Sequence, residues 1–144
     1  MTEAKPPDFD PEHRVGHLLR RAYHHAKSTT SALLKEIGVT PMQAAAIMAL
    51  RGRGELSQAD LGRAIGMEPA NVHVLLARLT KLALVDLTPH AVDNRQIVVG
   101  LSPKGEAQAQ RIAVVTARAS AQTLQPLTPA ERVVLLELLA RITK

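Results

Sequence analysis

Cysteine and tryptophan are both absent from the 144 residues. Without thiols the chain cannot form disulfides, thiolate zinc sites, a catalytic cysteine or a thiol-based redox sensor. Phe9 and Tyr23 are its only aromatic residues, so a stacking platform for single-stranded nucleic acid is not expected. Long apolar runs are also missing, because none approaches the roughly 18 residues that span a bilayer.

The first residues, MTEAKPPDFDPEH, are acidic and rich in proline, unlike a secretory signal. We therefore expect a cytoplasmic protein with a flexible N-terminal arm, residues 1–10, followed by a single domain, residues 11–144. Lysine and arginine outnumber aspartate and glutamate by 18 to 13. This excess of positive charge favours a polyanionic partner, although many basic proteins bind no nucleic acid.

Recognisable catalytic groups are missing. The sequence has no Gly-rich phosphate loop, no serine elbow and no paired carboxylates at a plausible site. It is therefore not expected to be an enzyme or to carry a cofactor. His13 and His17 have a spacing that can chelate a metal, but no carboxylate or cysteine cluster lies nearby to complete the shell, so no metal site is predicted.

Helical periodicity begins at Pro11 and predicts a helix of about 26 residues that stops at Gly38. The positions of one helical face recur at three- and four-residue steps, and all but Thr29 are apolar: Val15, Leu19, Ala22, Ala26, Thr29, Leu33 and Ile37. A second long helix is expected from Ser102 to Pro126. The last helix, after the capping box that begins at Thr128, is apolar on nearly every side and needs a second subunit to cover it. We assign residues 11–38 and 102–144 to dimerisation.

Residues 40–101 show the pattern of a winged helix-turn-helix. A capping box begins the first short helix at Thr40, Ser57 caps the second, and Gly66 and Pro69 mark the turn into the third. Two β-branched segments follow, separated by a polar tip, and these are residues 84–88, 96–99 and 89–95 respectively. The predicted fold class is mainly α with a small β-wing, a winged helix-turn-helix with long N- and C-terminal dimerisation helices.

The third short helix is the candidate recognition helix. At 100° per residue one face is apolar, with Val72, Leu75, Leu76 and Leu79. The opposite face holds Ala70, Val74, Ala77 and Lys81, with His73 on one flank and Asn71 and Arg78 on the other. An ordinary solvated surface is the alternative interpretation of this face; the wing that follows favours a DNA groove.

The side chains of this face suggest specific roles in the major groove. Asn71 is placed to read adenine, and His73 to donate to a guanine or a phosphate. Ala70 and Val74 can contact thymine methyl groups. The remaining predicted DNA-binding residues hold the backbone or form the wing tip, and they are Ser57, Gln58, Arg78, Lys81, Asp93, Asn94 and Arg95. Arg95 suits a narrow minor groove, with Asp93 holding it or bracing the turn; an exposed ion pair of little energetic value is the alternative.

The sequence resembles the MarR family of bacterial transcriptional regulators over nearly its whole length. The resemblance rests on Ser57-Gln58-Ala59-Asp60-Leu61, Gly66, Leu79, Leu84-Val85, Asp93-Asn94-Arg95 and Leu101-Ser102-Pro103-Lys104-Gly105. Three positions depart from the family pattern. Asn94 replaces the first wing arginine, Val74 stands where an arginine or polar residue is frequent, and Ala83 replaces a glycine. The resemblance implies a triangular homodimer, with its first, fifth and sixth helices interleaved, that binds a pseudo-palindromic operator in double-stranded DNA.

The same resemblance implies a repressor released by a small phenolic or aromatic acid. It places a ligand pocket between the dimer helices and the DNA-binding lobe, with candidate ligand residues His13, His17, Arg20, Tyr23 and His24 on the first helix. A cation beside an apolar wall suits the carboxylate or the CoA thioester of an aromatic acid. A solvated basic face is the alternative for these residues. For the whole protein, the alternative is a winged-helix dimer that binds DNA non-specifically or acts as a protein-interaction module.

Overall fold

The structure, a computed structural model, describes residues 11–144. Its elements in chain order are a 3₁₀ turn (Pro11–His13), α1 (Val15–Glu36), α2 (Pro41–Arg53), β1 (Leu56–Ser57), α3 (Gln58–Ile65), α4 (Pro69–Lys81), β2 (Val85–Pro89), β3 (Ile97–Leu101), α5 (Pro103–Thr123) and α6 (Pro129–Ile142). The predicted fold class, mainly α with a small β-wing, is confirmed. The predicted N-terminal arm, residues 1–10, lies outside the described residues.

Two capping boxes fix the starts of α2 and α6, as the sequence predicts. Thr40 Oγ1 accepts the Gln43 N–H at 3.2 Å, and the Gln43 side chain accepts the Thr40 N–H at 3.1 Å. Thr128 and Glu131 form the same reciprocal pair at 3.3 and 2.7 Å. Each box satisfies two backbone donors that the helix itself leaves without partners.

The first helix is shorter at its N-terminus than the periodicity predicts. A single helix from Pro11 is wrong, because Arg14 adopts an extended conformation with φ −75° and ψ 130° and separates the 3₁₀ turn from the 22-residue α1. The predicted C-terminal stop is confirmed. Gly38 lies at φ +71°, where an L side chain is disfavoured.

A hydrophobic core is formed by side chains from the helices α1, α2, α3, α4 and α5 and from the sheet. Its most deeply buried large side chains are Leu34, Ile47, Leu61, Val72, Leu79, Val99 and Ile112. The core therefore holds the short helices of the central lobe against α5, which also packs along α1 and α2.

The sheet has three antiparallel strands in the order β1-β3-β2, one more than the two that the sequence predicts. In the hairpin, Val85 pairs with Leu101 and Pro89 with Ile97. The additional strand is the two-residue β1, in which Leu56 pairs with Val99. Because β1 directly precedes α3, this pairing joins the start of α3 to the base of the β2–β3 hairpin.

The last helix has none of its residues buried. It makes no extensive contact with any other element of the described chain. Its exposed apolar side chains are Val133, Val134, Leu136, Leu138 and Ile142. The apolar first turns of α1 are exposed as well, with Val15 68% and Leu18 47% accessible.

Among residues 11–144, no single helix has both the length and the hydropathy needed to cross a bilayer, and α1 and α2 meet that test only together, as a pair bent by 85°.

Candidate nucleic-acid interface

A close crossing of α3 and α4 builds the helix-turn-helix. Gly66, at φ +65°, ends α3 in the left-handed conformation and lets the chain turn back. Gly62 lies at the crossing itself. A Cβ atom there would lie 3.0 Å from Val72 Cγ2 and 3.2 Å from the Met67 carbonyl oxygen. The two helices can approach this closely because position 62 has no side chain.

The inner face of α4 is fully used in packing. All four residues of the predicted apolar face, Val72, Leu75, Leu76 and Leu79, are buried, with at most 7% of any of them accessible. Pro69 occupies the first turn, where the missing N–H costs nothing. Because the inner face is fixed in the core, rotation of α4 about its axis is fixed too, and its opposite face must point outward.

The outer face of α4 carries every recognition-helix residue that the sequence assigns to DNA. All are exposed, and they are Ala70, Asn71, His73, Val74, Arg78 and Lys81. The side chain of Val74 at the centre is 60% accessible. The surface therefore has an apolar centre between polar flanks, while the roles of these residues at DNA stay predictions.

The wing tip is organised by two side chains that accept backbone N–H groups. His90 Nδ1 accepts from Val92 at 3.1 Å and from Asp93 at 3.3 Å. Asp93 Oδ1 accepts from the Arg95 N–H at 3.1 Å. The sequence suggested the Asp93 brace but gave no sign of the His90 one, because a histidine next to a proline has no turn signature of its own.

Arg95 combines an ion pair with nearly complete exposure. Its Nε lies 3.7 Å from Asp93 Oδ1, and 95% of its side chain is accessible. An ion pair this exposed contributes little to stability. The Arg95 guanidinium could therefore leave Asp93 and pair with a phosphate at little energetic cost. The neighbouring Asn94 is exposed as well.

The start of α3 is held by Ser57 and Asp60. Ser57 Oγ accepts the Asp60 N–H at 3.0 Å and donates to Asp60 Oδ2 at 2.8 Å. The hydroxyl proton is thus engaged by the cap, and in this conformation it is not available to the phosphate that the sequence assigned to it. Gln58 follows at the first helical position and is half-buried.

Asp60 is held in its charged form. The hydrogen bond from Ser57, followed by the one from Arg63, lowers the pKa of this carboxyl below its ordinary value of 3.8. Arg63 also pairs with Asp60 Oδ1. The positive charge of Arg63 is consequently matched within α3.

An open groove of about 440 Å³ lies between the start of α3 and the wing tip. Gln58 and Arg63 line it from the helix, and Arg95 lines it from the wing. Arg63 is paired with Asp60, and Arg95 is paired with Asp93, so each of the two arginines that line this groove has a carboxylate partner.

The five candidate ligand residues lie apart from the residues that are predicted to contact DNA. His13 is in the 3₁₀ turn, and on α1 the spacing places His17, Arg20 and His24 on one face with Tyr23 beside them. The rings of Tyr23 and His24 are 5.7 Å apart and tilted by 56°. His17 is partly buried and the other four are exposed. A cavity of about 650 Å³ opens elsewhere, between α3 and α4, with Gly62, Met67 and Pro69 in its wall.

The MarR family model matches residues 37–96, which run from the end of α1 through α2, α3 and α4 to the wing tip. Over 134 residues the chain is 31% identical to the HTH-type transcriptional repressor NicR of Pseudomonas putida, covering 93% of this chain and 85% of NicR. The matched region of the family model thus includes both elements that face outward as a candidate DNA surface.

Solved structures show the same architecture. BpsR of Bordetella bronchiseptica, whose DNA binding is described as regulated by 6-hydroxynicotinic acid, is similar with a TM-score of 0.82 and 28% identity over 96% of this chain and 99% of BpsR. A probable transcriptional regulator from Pseudomonas aeruginosa is similar with a TM-score of 0.80 and 30% identity, over 92% of this chain and 99% of that chain.

Proposed function

The chain belongs to the MarR family of winged helix-turn-helix transcriptional regulators, and we propose that it is a homodimeric repressor that binds a pseudo-palindromic operator and leaves it when a small aromatic acid binds. Regulators of this family act by binding DNA, so no catalytic step and no cofactor enter the proposal. Because the target is the chromosome, the protein is expected to act in the cytoplasm.

The observation that carries the proposal is the geometry of α4. Its inner face is fixed in the core, and its outer face presents Asn71 and His73 in the first turns around the apolar side chain of Val74. A helix of this kind can enter a major groove with Asn71 against adenine and with Ala70 and Val74 against thymine methyl groups. His73 then contacts a guanine or a phosphate.

The DNA backbone is held from both sides of α4. Arg78 and Lys81, in the last turn of α4, reach phosphates, while Gln58 contacts the strand at the start of α3. Arg95 enters the adjacent minor groove, with Asp93 and Asn94 shaping the tip. Ser57 contributes by capping α3, which positions Gln58.

A second copy of the chain covers the exposed apolar surfaces. Leu138 and Ile142 line an open groove of about 350 Å³ along α6. The first turns of α1 expose Val15 and Leu18 as well, and large apolar side chains exposed in this way mark a surface for protein–protein association. Two chains joined there carry two recognition helices, which fits half-sites about one DNA turn apart.

The proposed effector is a hydroxylated aromatic carboxylate. BpsR is described as regulated by 6-hydroxynicotinic acid, a ring that carries a carboxylate and a hydroxyl group. Arg20 and His24 can attract the carboxylate, and Tyr23 supplies a ring face for stacking. A CoA thioester of an aromatic acid remains the second effector class. The effector releases DNA if it favours a dimer whose recognition helices no longer match the half-sites.

Selection from a random DNA library tests the DNA-binding part of the proposal. Full-length protein should enrich an inverted repeat, and footprinting should protect two half-sites about one turn apart. Retention of DNA without any enriched sequence would support the non-specific alternative, and retention of no DNA would favour a protein-interaction module.

A thermal-shift screen tests the effector. Aromatic acids that include 6-hydroxynicotinic acid, together with CoA thioesters, are added to the protein, and one class should raise the Tm. Arg20→Met should abolish that rise for a carboxylate effector, while Arg21→Met, an exposed neighbour on another face of α1, serves as the matched control.

A further inference from the structure

The segment that begins α5 contacts three consecutive backbone carbonyls just after the recognition helix. Lys104 Nζ donates to the Leu82 carbonyl at 3.0 Å, and Ser102 Oγ donates to the Ala83 carbonyl at 2.6 Å. The Ser102 N–H donates to the Leu84 carbonyl at 3.1 Å. We call these three bonds the α4–α5 joint.

The three hydrogen bonds of the α4–α5 joint follow directly after the last hydrogen bonds that α4 forms within its own C-terminal end. The Leu84 N–H donates to Leu79 and the Ala83 N–H to Thr80, which forms a Schellman-type ending on α4. The Leu82 carbonyl belongs to the C-cap of α4, at the negative end of the helix dipole, and the carbonyls of residues 83 and 84 follow it in the turn that leads to β2. A lysine ammonium there makes a charge-assisted hydrogen bond in a favourable field.

Close packing leaves the joint little freedom to deform. A Cβ atom at Gly105 would lie 2.0 Å from the Leu84 carbonyl oxygen. Ser102 is 7% accessible, and its hydroxyl also accepts the Gly105 N–H at 3.0 Å. The start of α5 is therefore pressed against the backbone that leaves α4.

On its other side, α5 is bound to α1. The Gln108 side chain donates to the Ile37 carbonyl at 3.4 Å, and Arg118 pairs with Glu36 at 3.6 Å. α1 and α5 pack along each other, and the first turns of α1 carry part of the apolar surface proposed for dimerisation, so we call α1 and α5 together the dimer frame.

We propose that Ser102 and Lys104 are positioning residues that hold the recognition helix at a fixed angle to α5, so that a shift of the dimer frame reaches α4 and the base of the wing as one movement. The proposal rests on the proposed function for its effect on DNA. The mechanical part, that the joint fixes α4 relative to α5, concerns the folded chain alone.

Spin labels test the mechanical part. The chain has no cysteine, so Ala77→Cys on α4 and Ala117→Cys on α5, both exposed, give two labels and no others. Labelled protein is mixed with an excess of unlabelled protein, so that distances within one chain dominate. The distance distribution should be narrow in the parent and clearly broader in Lys104→Met, at a nearly unchanged Tm.

Ser102 variants provide the conservative rescue. Ser102→Ala removes the bond to Ala83 and should broaden the distribution, whereas Ser102→Thr keeps a hydroxyl and should restore the parent width. Ser102→Ala also weakens the cap of α5, so Lys104→Met decides the matter if the alanine variant does not fold. A parent-like width in Lys104→Met overturns the inference.

DNA binding separates positioning from phosphate contact. Lys104→Met should lower the ratio of operator to random-sequence affinity about tenfold, the scale of one lost charge-assisted hydrogen bond. Lys81→Met is the matched control, because it removes the same charge from the outer face of α4 and should weaken both DNAs equally. An equal loss on both DNAs in Lys104→Met would make it a phosphate contact and overturn the inference. If the parent selects no DNA sequence, the proposed function fails. The spin-label distances still test whether the joint fixes α4 relative to α5.

Discussion

At position 83 an alanine adopts the left-handed conformation, with φ +59°. For an L residue this conformation costs roughly 1–2 kcal/mol, and glycine escapes most of that cost while losing more chain entropy on folding. Ala83→Gly is therefore expected to raise the free energy of unfolding by about 0.5–1 kcal/mol, measured by urea denaturation.

Gly66 offers the reverse substitution as a control. It lies at φ +65°, and a Cβ atom there would meet nothing within 4 Å. Gly66→Ala should lower the free energy of unfolding by about 1 kcal/mol through conformation alone. A destabilised Ala83→Gly beside a destabilised Gly66→Ala would contradict the idea that position 83 is strained.

Asp60 gives a prediction in pH. Its folded pKa is lowered below 3.8 by Ser57 and Arg63, so the charged form stabilises the folded state above that pH and the contribution is lost as the pH falls through the folded pKa. Asp60→Asn should be less stable than the parent at pH 7. The difference between the two Tm values should shrink as the pH is lowered below about 4.

The pH series carries its own control. Asp86 lies on β2 and is exposed, so Asp86→Asn removes the same charge without removing a carboxylate from the first turn of a helix. A difference between Asp60→Asn and the parent that stays constant from pH 7 to pH 3 would show that the carboxyl group contributes only through neutral hydrogen bonding.

At single positions, the sequence indicated which residues are unusual but did not predict their backbone conformation or their contacts. Ala83 was recognised as a departure from the family pattern, but its positive φ could not be read from one residue type. Gly105 was recognised only as part of a family motif. Its close contact with the Leu84 carbonyl could not be predicted, because Leu84 lies 21 residues earlier in the chain. The His90 bonds were missed because a tip loop is set by its whole conformation.

Whole elements were predicted best where periodicity is strong. The inner face of α4 was assigned correctly, because helical spacing alone decides which residues share a face. Strand β1 was missed, because two residues carry no alternation and exist as a strand only through pairing with β3. The predicted start of α1 at Pro11 was wrong, because helical spacing cannot distinguish a 3₁₀ turn from the α-helix that follows it.

For the recognition helix, Asn71→Ala tests direct base reading. Loss of a bidentate amide should reduce discrimination at one base pair by about 1–3 kcal/mol, measured as the change in affinity between the operator and single-base variants. Gln122→Ala, which removes an exposed amide side chain from α5, is the control because no role at DNA is assigned to it. An equal loss on the operator and on random DNA would remove Asn71 from base reading.

For the wing, Arg95→Ala tests the backbone contact. The side chain is 95% exposed and carries only an exposed ion pair, so its loss should leave the Tm nearly unchanged. Binding to all DNA sequences should weaken, and the slope of log affinity against log salt should fall by about 1. Arg51→Ala, an exposed arginine at the end of α2, is the comparison, and an unchanged slope in Arg95→Ala would count against the wing assignment.

At the scale of the whole molecule, the packing of a single chain leaves the apolar side chains of α6 exposed. Leu138→Glu places a charge in the apolar groove of α6 and should weaken dimerisation by at least about tenfold, because a buried unpaired charge is costly. Sedimentation velocity at micromolar concentration should show a dimer for the parent and a monomer for the variant. Val92→Glu, at a side chain 91% accessible in the wing tip, should stay dimeric. A parent that is monomeric, or a Leu138→Glu dimer, would contradict the assembly.

The most direct test of the central claim is one affinity comparison. Fluorescence anisotropy at about physiological salt would measure the dimer on its selected operator and on a scrambled duplex, with and without 6-hydroxynicotinic acid. The account predicts binding to the operator at least about 10³-fold tighter than to the scrambled duplex. It predicts that the acid weakens operator binding by roughly 5–150-fold. Equal affinity for the two duplexes would contradict sequence-specific regulation, and tight operator binding that no aromatic acid or CoA thioester changes would contradict effector release.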